Sequence, residues 1–449
     1  MADSLPPPPH EEDSWHTLVH VCRRWRCAVF GSPRRLNLRL LCMHGRLEKT
    51  LDIWPQLPIV IHVDGRDMFP LPSVTDVISV LKRNDRVCKI FLDSVPNPFL
   101  EEVATMSEPF PALIELEISS SSYVGDAPIL PDSFLGGSVP RLRSLFLEGV
   151  PFPEIQKLLL STRDLVTLTL AFVPDSGYIS PEAIVAILST LTRLESFHLG
   201  FQIHQSSTHE ASRRPRAPVL TRVVLPALTA FSFAGNVKYL GDIVSQIDAP
   251  LDCITITVVS CNRDQLASDF PLLRDFIWRT KLLNASHRAD ISYLGYNSGI
   301  SLFRRKGGVD FKVFSLEISF YASDSQLSAL AQACSSLLLP LPTLEHLCIY
   351  TFDPEHRTSQ RQNEANARWM EFLRPFIAVK DLVLRRPAVI PVASTLQGLV
   401  GERVKEILPS LQTIHFPSLG PVPEGIAKFV AVRELNGYPV VVHHQETKE

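Results

Sequence analysis

The sequence predicts an α/β protein built from stacked strand–loop–helix units. Three observations carry that expectation. An apolar-x-x-apolar-x-apolar triplet occurs eleven times between Val87 and Phe416. Stretches between the triplets have the 3.6-residue periodicity of helices. The triplets start 23 to 35 residues apart, with a single gap of 62, the spacing of an architecture in which one supersecondary unit repeats and each copy buries its apolar face against the next. A chain of 449 residues exceeds what one compact core usually holds, and an elongated array suits it.

Residues 1–13 are read as a disordered N-terminus, because they are polar and contain Pro6-Pro7-Pro8-Pro9, and interior prolines break a helix. Residues 14–45 form a helical segment. Leu18, Val21, Cys22, Trp25 and Val29 lie at i, i+3, i+4, i+7 and i+11, one apolar stripe on a helix. Arg23, Arg24 and Arg26 flank it. Ser14 can cap the start, and Gly31-Ser32-Pro33 ends it. Cys22 faces the stripe and Cys27 faces away, so the two cannot share a metal ion.

Residues 46–425 hold the repeats. The copies are Val87-Ile90-Leu92, Leu113-Leu116-Ile118, Leu142-Leu145-Leu147, Leu165-Leu168-Leu170, Leu194-Phe197-Leu199 and Leu228-Phe231-Phe233. They continue as Leu251-Ile254-Ile256, Val313-Leu316-Ile318, Leu344-Leu347-Ile349, Val379-Leu382-Leu384 and Leu411-Ile414-Phe416. The long gap after Leu251 predicts a hidden copy at Ala289-Ile291, with a hairpin turn at Tyr296-Asn297-Ser298-Gly299. Five copies share a proline lead-in, as in "FPALIELEI" and "LPSLQTIHF". Ser180-Pro181-Glu182 opens a helix with an N-cap serine and proline at the first position. Trp369, Phe372, Leu373 and Phe376 mark the apolar face of another. Residues 426–449 are read as a polar C-terminal tail, with His443-His444 solvent-exposed.

Side chains alternate along a strand, so residues between the triplet leucines reach the open surface. Glu115, Glu117, Phe146, Glu148, His198, Glu317, His346 and Arg385 are the candidate substrate-binding residues. Thr167, Thr169, Ser196, Cys253, Thr255, Cys348, Asp381 and His415 share that face. Such a mixture suits an adaptable binding surface rather than a catalytic centre.

The repeat resembles the leucine-rich repeat over residues 80 to 420. That resemblance implies an irregular solenoid, with parallel strands on a concave side and helices on a convex side. The regular motif has asparagine three residues after the last leucine. Here only Asn236 stands there, so the turns must be held by other means. The opening stretch, Leu18 and then Val21-Cys22-Arg23-Arg24-Trp25-Arg26 followed by Ser32-Pro33, resembles the C-terminal half of an F-box, most closely that of F-box-like proteins from basidiomycete fungi. The resemblance implies that Leu18, Val21, Cys22 and Trp25 dock on a Skp-type adaptor, tethering a substrate-binding domain to a cullin-type (SCF) ubiquitin ligase in cytoplasm or nucleus. The "LPxEILxxIF" helix that opens a full F-box has no counterpart in residues 5–13, so the module is a remnant, either degenerate or from an incomplete gene model. The alternative is a leucine-rich-repeat scaffold that has lost adaptor binding.

Composition excludes other classes. The 44 basic and 47 acidic residues leave a net charge of −3, which argues against a dedicated nucleic-acid binder. No apolar run approaches the ~20 residues of a membrane span, and nothing near Met1 resembles a secretion signal. The eight cysteines form no CxxC pair, as expected of free thiols. The chain lacks GxxxxGK[ST], HExxH and GxSxG motifs. No enzyme activity, cofactor or metal is expected. Residues 204–218, with Arg213, Arg214 and Arg216, read as a mobile loop.

Overall fold

A computed structural model describes residues 19–31, 40–42, 51, 56–66, 73–121, 127–202, 221–259, 263–294, 297–319, 326–338, 341–351, 362–385, 388–417 and 421–445. The chain divides into two compact units, residues 1–178 and 179–449. Both are mixed α/β with a mostly parallel sheet. Among the described residues no helix is long and apolar enough to cross a membrane.

The first unit has helix α1 (Arg23–Gly31) and strands β1 (Leu40–Cys42), β2 (Ile59–Asp64), β3 (Val87–Val95), β4 (Glu115–Ser120), β5 (Ser144–Glu148) and β6 (Thr167–Val173). All six pair in parallel, in chain order. Parallel neighbours need crossovers, and helices α2 (Val74–Leu81), α3 (Asn97–Ala104) and α4 (Ile155–Leu160) lie in them. Ile90, Leu116, Leu145 and Leu168 stand in register and are at most 2% exposed. The residues between them stay partly exposed, so one face of the sheet is covered and the other open.

The second unit has β7 (Ser196–Phe201), β8 (Val223–Val224), β9 (Ala230–Gly235), β10 (Ile247–Asp248), β11 (Cys253–Val259), β12 (Arg288–Leu294), β13 (Asn297–Lys306), β14 (Val309–Ser319), β15 (His346–Thr351), β16 (Asp381–Leu384), β17 (Thr413–Pro417) and β18 (Val441–Gln445). Its helices are α5 (Pro181–Thr190), α6 (Val237–Val244), α7 (Arg263–Thr280), α8 (Gln326–Ala333), α9 (Gln362–Leu373), α10 (Val389–Gln397) and α11 (Glu424–Leu435). Each packs on the next. Ser180 caps α5 as expected, its hydroxyl accepting from Ala183 N–H at 3.2 Å. Trp369, Phe372, Leu373 and Phe376 are buried.

The proline lead-ins have one physical explanation. In each, the residue before proline accepts a hydrogen bond from the first triplet leucine: Leu113 to Phe110, Leu142 to Val139, Leu228 to Leu225, Leu344 to Leu341 and Leu411 to Leu408. Proline at the second turn position pre-sets φ there, and both apolar ends of every turn are buried. Side chains hold two of the turns after strands. Ser119 Oγ donates to Asp93 Oδ1 at 2.8 Å and accepts from Ser94 N–H at 2.7 Å. Asn236 is the N-cap of α6, accepting from Lys238 N–H at 2.8 Å.

Two expectations need correction. The hidden copy exists as β12, with Ala289 and Ile291 fully buried. It does not follow β11 in space. The order there is β11-β14-β13-β12-β15, and β13 runs antiparallel to both its neighbours. The chain jumps ahead to β12, doubles back through two hairpins and jumps ahead again to β15. Asn297, Ser298 and Gly299 belong to β13 itself, while Tyr296 lies outside the described residues. The second hairpin turns at Gly307-Gly308, both with positive φ, as a two-residue type I′ loop requires. The alternation of helix and parallel strand also continues beyond residue 425: α11 packs on α10, and β18 pairs in parallel with β17. His443 and His444 are exposed, on that strand.

Candidate functional site

Three features bear on function: the opening helix and the open sheet face of each unit. The helical turn at residues 19–21 is interrupted at Cys22 and resumes as α1, with Arg26 Nε donating to Val19 O at 3.0 Å. Val19 and Val29 are buried, whereas Val21 is 63% and Trp25 49% exposed, and Cys22 is exposed. The stripe is therefore largely uncovered rather than packed on the fold. Leu18 lies outside the described residues, as does the 204–218 insert.

On the first unit's face, Glu117 sits in register between Phe91 and Phe146, with Thr169 beyond. Lys89 pairs with Glu115 at 2.6 Å and lies over the Phe91 ring. His62 meets Phe91 edge-on. Arg66 pairs with Asp93 and with Asp64. Burial, and then the charges of Glu115 and Glu148, raise the Glu117 pKa, opposed by Arg66. Burial likewise raises that of Glu148. Four of the candidates thus share one surface, Glu115, Glu117, Phe146 and Glu148, with Glu117 between two phenylalanines and the other two carboxylates in the rows to either side.

The second unit's face is different. His198, on β7, has its pKa lowered by burial, and Glu317, on β14, is exposed. Farther along, Arg288 Nε and Nη2 both reach Asp290 at 2.7 Å. Arg305 donates to Asp310 at 2.9 Å and holds the Asp310 pKa low. His287 Nε2 is 3.4 Å from Asp310, but without the alignment of a hydrogen bond, so neither ring nitrogen has a bonded partner. Burial pushes its pKa down, against the pull of Asp310. His346 Nδ1 lies 2.9 Å from Asp381 and edge-on to His287. The rings of His415 and His443 stack at 5.3 Å. Arg385 stands beside Tyr350.

His346 and Arg385 thus fall in one region, while His198 and Glu317 lie on strands nearer the other end of the same sheet. The residues that organise this region, Arg288, Asp290, Arg305 and Asp310, were not among the candidates. Arg288 and Asp290, two apart on a strand, carried a legible signal, because i and i+2 share a face. Asp310 carried none, since only the second hairpin brings it near.

Elsewhere in this unit, an open cavity of about 450 Å³ is bordered by Val224, Asp248, Phe276 and Arg279. Arg279 is committed there, to Asp248 and to the carbonyls of Val244 and Ile247. Among the described residues no group of three or more His, Cys, Asp and Glu side chains is placed to hold a metal ion. No protein-family model matches this chain, and no curated protein matches its sequence.

Proposed function

We propose that the chain is a non-enzymatic protein-interaction protein, an F-box-like subunit whose leucine-rich-repeat-type sheet recruits a protein substrate. Its opening helix would dock on a Skp-type adaptor of a cullin-type ubiquitin ligase. The observation that carries the proposal is the uncovered stripe of Val21, Cys22 and Trp25. An apolar helix face must be buried somewhere, and a half-exposed tryptophan is the residue type that most often anchors an interface. Support for the binding face is the alternation of buried leucines with partly exposed polar and aromatic side chains on parallel strands.

The test is a pull-down of a Skp-type adaptor by the full chain. Trp25→Ala is expected to cost at least ~2 kcal/mol of affinity, with Arg24→Ala costing less. A parallel chain with an added "LPxEIL" helix is expected to bind more tightly, because that helix completes the docking surface. If neither form retains the adaptor, the ligase reading is wrong, and the second reading stands: a repeat scaffold without ligase coupling.

A further inference from the structure

Arg385 differs from the other arginines on the open face of the second unit. Leu382 and Leu384 are fully buried, so Asp381, Val383 and Arg385 alternate onto that face. The Arg385 N–H donates to Ile349 O at 3.0 Å, which sets the residue beside Tyr350 of the neighbouring strand. Arg288 and Arg305 have their carboxylates, Asp290 and Asp310. Arg385 has none. Its Nε is buried without a hydrogen-bond partner, and neither Nη makes a bond or ion pair among the described residues. A half-buried guanidinium left unpaired is costly, and this one keeps two Nη donors accessible.

We infer that Arg385 is the recognition residue for an acidic side chain, aspartate or glutamate, of a protein segment laid across this face. The inference rests on reading the sheet as a protein-binding surface. The planar fork matches the two oxygens of a carboxylate end-on through Nη1 and Nη2. Asp381, on β16 and the same face, has no arginine or lysine partner among the described residues, which disfavours a dianionic phosphoryl group more than a singly charged carboxylate. Tyr350 shares the site, and its hydroxyl is protonated at physiological pH, as a phenol ordinarily is, with burial pushing its pKa further up, to about 12. It therefore adds no negative charge. The site lies on an open sheet face rather than in a cavity, which fits an extended segment.

The experiment pans a random peptide display library against the full chain, against Arg385→Gln, and against Arg141→Gln, whose arginine is exposed elsewhere. Wild type and Arg141→Gln are expected to enrich Asp or Glu at one peptide position, and Arg385→Gln to lose that enrichment. A selected peptide, labelled with fluorescein, is then compared with its Glu→Gln version on the wild-type chain, which needs no protein variant. About a tenfold loss is expected, the worth of one charge-assisted hydrogen bond. Peptides selected without an acidic position overturn the inference while leaving the binding face intact. Acidic enrichment that survives Arg385→Gln overturns it too. Failure to select any peptide overturns both the inference and the binding-face reading.

Discussion

Replacing Arg433 tests how the last repeat is held. This arginine lies on α11, is 2% exposed, and has no carboxylate partner among the described residues. Instead it donates to five backbone carbonyls. Nε reaches Tyr438 at 3.3 Å, Nη1 reaches Val404 at 3.4 Å and Leu408 at 3.1 Å, and Nη2 reaches Pro409 and Leu411 at 3.1 Å. The guanidinium also faces the rings of Phe429 and Tyr438. In Arg433→Met the apolar stem is conserved and the donors are lost. Tyr438 is exposed and Pro409 partly so, so water can replace the donor there. The Leu408 carbonyl keeps its bond from Leu411 N–H. Val404 and Leu411 are buried, and their carbonyls lose a donor that water cannot replace. Each such loss costs about 1–3 kcal/mol. Relief of the guanidinium's own desolvation offsets part of the total, so the expected loss is about 3 kcal/mol. Arg433→Lys offers three donors for five acceptors and should fall between. Urea unfolding of the full chain, followed by circular dichroism, measures both. A methionine variant within about 0.5 kcal/mol of wild type would refute the reasoning, because it would mean that the carbonyls gain nothing from the charge.

Further predictions follow from the core and the faces. Leu168→Ala, at a 1% exposed position, should cost about 2–5 kcal/mol through lost transfer energy and a cavity; a neutral effect on the urea midpoint would mean that the strand register is wrong. Ser180→Ala removes the cap of α5 and should lower stability by about 1 kcal/mol, read from the same transition, with Ser180→Thr expected to retain most of it. Glu117 has its pKa raised by burial and by Glu115 and Glu148. Its ionised form therefore opposes folding, fully above the raised pKa and not at all once pH falls well below the ordinary 4.5. Glu117→Gln should raise the thermal midpoint at pH 7 and lose that advantage near pH 3; an equal gain at both would show that charge is not the cause.

Much of the strand framework was legible because its signal is local. Period-two alternation around each triplet marks the inner and outer residues without reference to the rest of the chain, which is why Leu145, Leu168, Leu316 and Leu347 are all buried. The proline lead-ins were equally visible, since a turn is made by four consecutive residues. Which residues meet on the outer face was only half legible. Alternation brings Glu117 and Phe146 to the surface, but their adjacency depends on register between strands.

What the sequence determined by itself is the strands at the triplets, most of the helices between them, and the outward row that includes His346 and Arg385, but not β13 or β18. Only the tertiary structure decided the order β14-β13-β12. Short apolar strands look alike in sequence, and pairing partners are chosen by long-range hydrogen bonding and burial that no local pattern records. It also decided which charges are answered. Arg288 finds Asp290 two residues away, Asp310 is brought to Arg305 by a hairpin, and Arg433 ends among carbonyls of a distant turn. Among the described residues Arg385 is left without a partner. A side chain's partner is a matter of what folding places within about 3 Å of it, and residue type alone does not contain that information.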